Sequence, residues 1–230
     1  MPPNTKSLSP KTAVLVHGLY HSPAHFDALV DLLRSQGVQV TVPTLHRRSL
    51  DADTQEVQAA VDAHSTPPVV LGHSYGGSVI TGLTGAAHLL YLAAFVLAKG
   101  ESAASVDAAT SQLRAAVRPD NAGTRIDPTL ATALFYADCP PETAARATAL
   151  LRHQLPGCGR GFPGRQAWQD TPSTYVVCTQ DKAVDPRVQR LMARRCTTAL
   201  EWPTSHSPYL SRTSDVAALI QHQFDNLAEE

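Results

Sequence analysis

Short apolar runs alternate with amphipathic stretches of helical length along most of the 230 residues, and few folds accommodate that alternation. The runs are residues 13–17, 38–43, 68–71, 89–94, 174–178 and 200–203, each rich in Val, Leu or Tyr and bounded by Gly, Pro or polar residues. A continuous apolar run bounded by turn residues fits a strand buried on both faces, so the pattern predicts an α/β fold: a mostly parallel sheet of about six strands flanked by helices. Between the runs, 24–36 brings Phe26, Leu29, Val30 and Leu33 to one helical face and stops at Gly37, and 188–195 and 215–227 show similar periodicity.

The rhythm breaks from Phe95 to Thr171, where helical patterns at 128–136 and 140–154 occur without a convincing strand. This predicts a core domain formed by residues 1–94 and 172–230, with an inserted helical cap over 95–171. Residues 156–164 hold four Gly and two Pro, which excludes regular structure and suits a return from cap to sheet.

Apolar residues make up 43% of the chain and charged residues 17%, enough for a full core and incompatible with disorder or a coiled coil. Nineteen basic residues against twenty acidic ones leave no excess to neutralise phosphates, so neither nucleic acid nor a membrane surface is an expected partner. Cys139, Cys158, Cys178 and Cys196 show no C-x-x-C spacing and are read as reduced thiols. Polar residues 1–6 lead only to the short apolar stretch 13–16, far below the ~18 residues of a membrane span, which points to a cytoplasmic address. Nothing in the pattern sets an oligomeric state.

Gly72-His73-Ser74-Tyr75-Gly76 matches G-x-S-x-G, a sharp strand-to-helix turn that lifts a serine oxygen clear of a sheet. Its context fits, because 68–71 precedes it as a strand and the small-residue stretch 77–84 follows as a helix. A serine hydroxyl needs an adjacent base, itself oriented by a third group. His206 follows the last predicted strand and can swing an imidazole over Ser74. Asp181 emerges after 174–178 as the expected orienting acid, with Asp185 its rival on the same loop. The order Ser, Asp, His is the one this elbow uses. The amides of Leu19 and Tyr75 are the expected oxyanion donors, with Gly18 letting backbone approach the reacting carbonyl. His17, His21 and His25 recur every four residues, but Gly18 and Pro23 interrupt any helix, so no metal site is expected and no motif calls for a cofactor. His73 is expected to pack beneath the turn.

With these residues in place the chain resembles the α/β-hydrolase superfamily. The likeness is closest to its compact branch of plant methylesterases, hydroxynitrile lyases and small bacterial esterases. It rests on His17-Gly18, Gly72-His73-Ser74-Tyr75-Gly76-Gly77, Cys178-Thr179-Gln180-Asp181 and Ser205-His206-Ser207-Pro208, four blocks in the family's order. The family usually begins with two strands more than the residues before Ala13 can supply, which implies a trimmed sheet. The similar lyases carry Thr in place of Gly18 and Lys in place of Ser207, so both positions tell against cyanohydrin chemistry. The resemblance implies an esterase using Ser74, Asp181 and His206 on a small-molecule ester. The alternative is a non-hydrolytic relative, such as a C–C lyase, acyltransferase or biosynthetic cyclase, that uses the same triad.

For the substrate pocket the predicted cap offers Phe135, Tyr136 and Trp168, with Leu150 and Leu151, as apolar walls, and Arg152, His153 and Gln154 as polar contacts. Six per cent aromatic content favours small or medium esters over long acyl chains. Methyl esters, aryl esters, lactones and thioesters all present the same carbonyl to such a site.

Overall fold

The computed structural model describes residues 10–45, 48–121 and 123–229. The polar leader 1–6 lies outside the described residues. In chain order the strands are β1 (Thr12–Val16), β2 (Gln39–Thr41), β3 (Val69–His73), β4 (His88–Leu92), β5 (Val117–Asp120), β6 (Gly123–Ile126), β7 (Ser173–Cys178) and β8 (Thr198–Trp202). The helices are α1 (Asp27–Ser35), α2 (Leu50–Asp62), α3 (Tyr75–Thr81), α4 (Ala103–Val106), α5 (Ser111–Ala116), α6 (Pro128–Phe135), α7 (Pro141–Ala149), α8 (Pro186–Ala193), α9 (Pro208–Ser211) and α10 (Thr213–Glu229).

Six strands form one parallel sheet in the order β2-β1-β3-β4-β7-β8, so every one of the six expected runs finds a place in it. Strand alternation divides the core into two layers. Ala13, Leu15, Val69, Leu71, Leu90, Leu92 and Val176 face α1 and α10 in one cluster. Val14, Val16, Val70, Leu89, Tyr91, Tyr175 and Val177 face α2, α3 and α8 in the other. The four inner strands β1, β3, β4 and β7 are buried on both faces, which is why they lack an apolar–polar alternation in the sequence. Among the described residues no helix is long and apolar enough to cross a membrane.

Residues 95–171 differ from the expectation in one respect: they include the antiparallel hairpin β5–β6. Its strands read VRPD and GTRI, with Arg, Pro and Asp where a half-buried strand would carry apolar residues. Backbone pairing holds it instead, extended by reciprocal Thr124–Gln154 bonds of 2.8 and 3.0 Å. Around it Ala116, Ile126, Ala131, Leu134, Phe135, Tyr136, Ala144 and Ala147 form a third small cluster, into which Tyr20 and Ala183 reach from the sheet side. The Gly- and Pro-rich stretch 156–164 holds only the 3₁₀ turn Cys158–Arg160.

Helix α3 passes so close to β1 that a side chain on Gly76 would collide with the Val16 carbonyl oxygen, and a Cβ on Gly77 would lie 2.6 Å from the Phe95 oxygen. Neither neighbour is a side-chain tip that can swing away. Gly76→Ala is therefore expected to lower unfolding free energy by about 1–3 kcal/mol through overpacking, read by urea denaturation. An unchanged midpoint would show that the helix does not lie this close to the strand.

Candidate active site

Ser74 joins β3 to α3 with φ 54° and ψ −121°, left-handed values that a non-glycine residue holds only under strain. The turn is pinned on both sides. The Ser74 amide donates to the Leu92 carbonyl at 3.2 Å, and its own carbonyl accepts from the Gly77 and Phe95 amides at 3.0 and 3.1 Å. A Cβ on Gly72 would lie 2.7 Å from the Gly76 carbonyl oxygen, and one on Gly18 would lie 2.9 Å from Ser74 Cβ. Gly18 thus lets the loop leaving β1 run directly beside the serine.

His206, on the loop after β8, has a side chain only 2% exposed, and its Nδ1–H donates to Asp181 Oδ2 at 2.7 Å. Asp181 leaves the end of β7 and accepts four hydrogen bonds. Its Oδ1 receives the Ala183 and Val184 amides at 2.7 and 3.0 Å. Its Oδ2 receives the Gln189 side-chain amide at 2.8 Å alongside His206. Asp185 goes elsewhere: it caps α8 through the Arg187 amide at 2.8 Å and pairs with the Arg187 guanidinium, whose hydrogen bonds hold the Asp185 carboxyl below its ordinary range. The geometry separates the two aspartates that the sequence left open.

Ser74 and His206 line one cavity of about 310 Å³, walled mainly by Leu19, Phe95, Ala108, Leu113, Phe135 and Val184. No hydrogen bond joins the two side chains among the described residues. Leu19 and Tyr75 border the same cavity, and among the described residues neither amide donates a turn, loop or capping hydrogen bond. The Tyr75 hydroxyl donates to buried Asp53 at 2.9 Å, fixing the residue from behind.

Of the expected pocket residues, Phe135 lines the cavity, its ring centroid 5.5 Å from that of His206. Two others are corrected. Tyr136 is fully buried away from the cavity because its hydroxyl donates to His21 Nε2 at 3.0 Å. Trp168 packs on the main core, held by its indole N–H on the Leu97 carbonyl at 3.0 Å. Arg152, His153 and Gln154 also lie outside the lining: the Arg152 amide donates to the Tyr20 carbonyl at 2.7 Å, His153 pairs with Asp120, and Gln154 Nε2 meets Cys158 Sγ at 3.3 Å.

The histidines in and near the site are tied individually, and the tautomers follow from their partners. His73 Nε2–H donates to the His206 carbonyl at 2.9 Å beneath the turn. His21 Nδ1–H donates to the Leu19 carbonyl at 2.8 Å and accepts from Tyr136. His25 accepts the Ser22 amide at 3.1 Å and donates from Nε2 to the Ala147 carbonyl at 3.1 Å. His17 Nδ1 meets the Gly18 carbonyl at 2.9 Å.

Sequence reasoning passed over Asp138 and Gln189. Asp138, between α6 and α7, accepts the Ser205 amide at 3.0 Å, the Ser205 hydroxyl, and the Ser211 hydroxyl at 2.9 Å, so it clamps the loop that carries His206. Nothing in its neighbours Ala137 and Cys139 signalled this. Gln189 did leave a signal: it shares the buried stripe of α8 with Met192 and Ala193, where a polar residue needs an internal partner.

A parallel sheet with a strand–serine–helix elbow at its carboxyl edge is the architecture of the α/β-hydrolases. The chain belongs to that class, because the model of the alpha/beta hydrolase family matches residues 13–219. It is 27% identical over 237 residues to alpha/beta hydrolase nvfD of Aspergillus novofumigatus, covering 91% of this chain and 94% of that one. It is 25% identical over 249 residues to the pyrethroid hydrolase of Sphingobium wenxiniae, covering 94% and 88%. The solved pyrethroid hydrolase of Sphingobium faniae JZ-2 superposes with TM-score 0.83 at 24% identity, covering 96% of this chain and 99% of that one.

Burial disfavours the charged form of these imidazoles, pushing His25 and His88 down to about 4 and His21 and His73 well below the ordinary histidine range, where neighbouring imidazoles add to the effect. Below pH ~6.5 the unfolded chain takes up protons that the folded chain refuses, so stability is full above that value and falls as the pH drops towards 4. Each such imidazole contributes a slope of up to about 1.4 kcal/mol per pH unit. Urea unfolding at pH 7.5, 6 and 5 should show the decline, and His88→Gln should remove one imidazole's share of it. Equal stability at all three values would mean these rings are not buried as neutral groups.

Proposed function

We propose that the chain is a serine carboxylesterase that cleaves small or medium esters by two-step acyl transfer. The observation that carries this reading is a strained Ser74 elbow opening on the same apolar cavity as a buried His206 whose Nδ1–H is held by Asp181. Ser74 Oγ attacks the ester carbonyl carbon while His206 Nε2 takes its proton. The carbonyl oxygen gathers negative charge and is met by the Leu19 and Tyr75 amides. The alcohol departs with the proton that His206 returns, leaving an acyl group on Ser74. Water, deprotonated by the same imidazole, then releases the acid. Asp181 fixes the imidazole tautomer and stabilises its cationic form during each transfer.

We assign the cap role to residues 95–171. They supply Phe95, Ala108, Leu113 and Phe135 to the cavity, and their centre has a small apolar cluster of its own. A volume of about 310 Å³ lies at the lower end for small-molecule pockets and suits a short acyl chain or a single ring. Relatives named as hydrolases support the reaction class.

Ser74→Ala should lose on the order of 10⁴-fold or more of turnover on p-nitrophenyl acetate and butyrate, and should lose labelling by a fluorophosphonate seen as intact mass. A tenth of wild-type turnover surviving in that variant would overturn the mechanism. Labelling of the wild type without any ester turnover would favour a non-hydrolytic use of the same serine. Size selection is tested by Leu113→Trp, which narrows the cavity: kcat/KM for butyrate should fall about tenfold or more while acetate stays within about threefold, as a steric pocket discriminates by 1–3 kcal/mol. Equal losses on both esters would remove Leu113 from the acyl pocket.

A further inference from the structure

We propose that Gln189 is a positioning residue whose side-chain amide fixes the plane of the Asp181 carboxylate, and through it the orientation of His206. The inference rests on the Ser74–His206–Asp181 reading above. Gln189 has no solvent exposure, and every polar valence its amide uses is internal. Its Oε1 accepts the Cys178 amide at 2.9 Å, at the end of β7. Its Nε2 donates one hydrogen to Asp181 Oδ2 at 2.8 Å and the other to the Val184 carbonyl at 2.9 Å. The amide cannot be turned over, because a flip would set Oε1 against two acceptor oxygens and Nε2 against an N–H.

That arrangement divides labour at the acid. Oδ1 is tied by the Ala183 and Val184 amides of Asp181's own turn, a hinge about which the carboxylate could still rock. The torsion that turns a carboxylate is broad, so side-chain preference alone does not choose its angle. Oδ2 is the oxygen that receives His206, and Gln189 approaches that same oxygen from α8. Two donors on one oxygen from two elements set the plane. The donor must also be neutral: a cation there would offset the charge Asp181 presents to the imidazolium, and a carboxylate would repel it. A glutamine meets both demands, and its burial is tolerable only because its partners satisfy it.

Gln189→Leu and Gln189→Met keep the side-chain volume closely and remove the donor. Both variants should fold, with kcat on p-nitrophenyl butyrate falling about 10- to 100-fold, as expected for a small misplacement of a catalytic group. KM should stay within about threefold, and fluorophosphonate labelling of Ser74 should slow in parallel with kcat. The deciding comparison is the double variant: in an Asp181→Asn background, Gln189→Leu should change kcat by less than about twofold, since a residue acting through Asp181 has nothing left to position. If Gln189→Leu multiplies the Asp181→Asn loss by its full single-variant factor, or if either single Gln189 variant keeps wild-type kcat, the positioning role is overturned. If Asp181→Asn itself keeps wild-type turnover, the assigned acid is wrong and the role of Gln189 falls with it.

Discussion

The backbone of Ser74 is the constraint on which the carboxyl edge of the sheet depends. A left-handed conformation at a residue with a side chain costs on the order of 1–3 kcal/mol and persists only where its surroundings leave no alternative. Here the surroundings are three close approaches, two of main chain to main chain and one of main chain to the Ser74 side chain. Gly72 lets the turn fold back on α3, Gly76 lets α3 lie on β1, and Gly18 lets the next loop pass beside the serine. Each approach would be refused by a single methyl group. The same contacts that hold the strain bring Leu19 and Tyr75 to the wall of the cavity that holds Ser74. Strain, glycine placement and the position of these two residues are one arrangement.

A second feature is how the loops around Ser74 are tied to residues 95–171. On one side, Tyr136 bonds His21, the Ala147 carbonyl receives His25, and Arg152 and Thr124 meet Tyr20 at its carbonyl and hydroxyl. On the other, Asp138 grips Ser205 and Ser211 on either side of His206. His73 links the two from below, bonded to the His206 carbonyl with its ring 5.6 Å from that of His21. Neutral imidazoles suit this task because each offers one donor and one acceptor without a charge to desolvate.

Strands were legible because a buried parallel strand is a plain apolar run, and Ala13, Val70, Leu90 and Val176 lie where such runs predict. The hairpin was not, since Arg118, Pro119 and Arg125 carry no apolar period and the pairing is written in backbone alone. At the site, Ser74 was legible through the glycines that its turn requires, and the geometry joins Asp181 to His206 as the order of the blocks suggested. Pocket walls were harder to read. Phe135, Tyr136 and Trp168 are equally apolar, and what separates them is where a hydroxyl or an indole N–H finds its partner, a contact between distant parts of the chain. Gln189 fell between these cases: its helical spacing from Met192 and Ala193 is written in the sequence, its burial and its partner are not.

The fastening of loops to residues 116–154 also sets where such a protein can change. A replacement of that stretch as a block would release His206 and the Leu19 loop together, whereas substitutions at Tyr136 or Asp138 need matching changes at their partners His21, Ser205 and Ser211. Residues 103–114 are different. They contribute Ala103, Ala104, Asp107 and Leu113 to the cavity wall while, among the described residues, giving no hydrogen bond to the loops that carry Ser74, Leu19 or His206; only 108–110 are tied, to Lys182, Ala183 and Asp185 on the loop after Asp181. The shape of the cavity can therefore drift through 103–107 and 111–114 without loosening any of these loops, and directed evolution of this chain has its shortest route there.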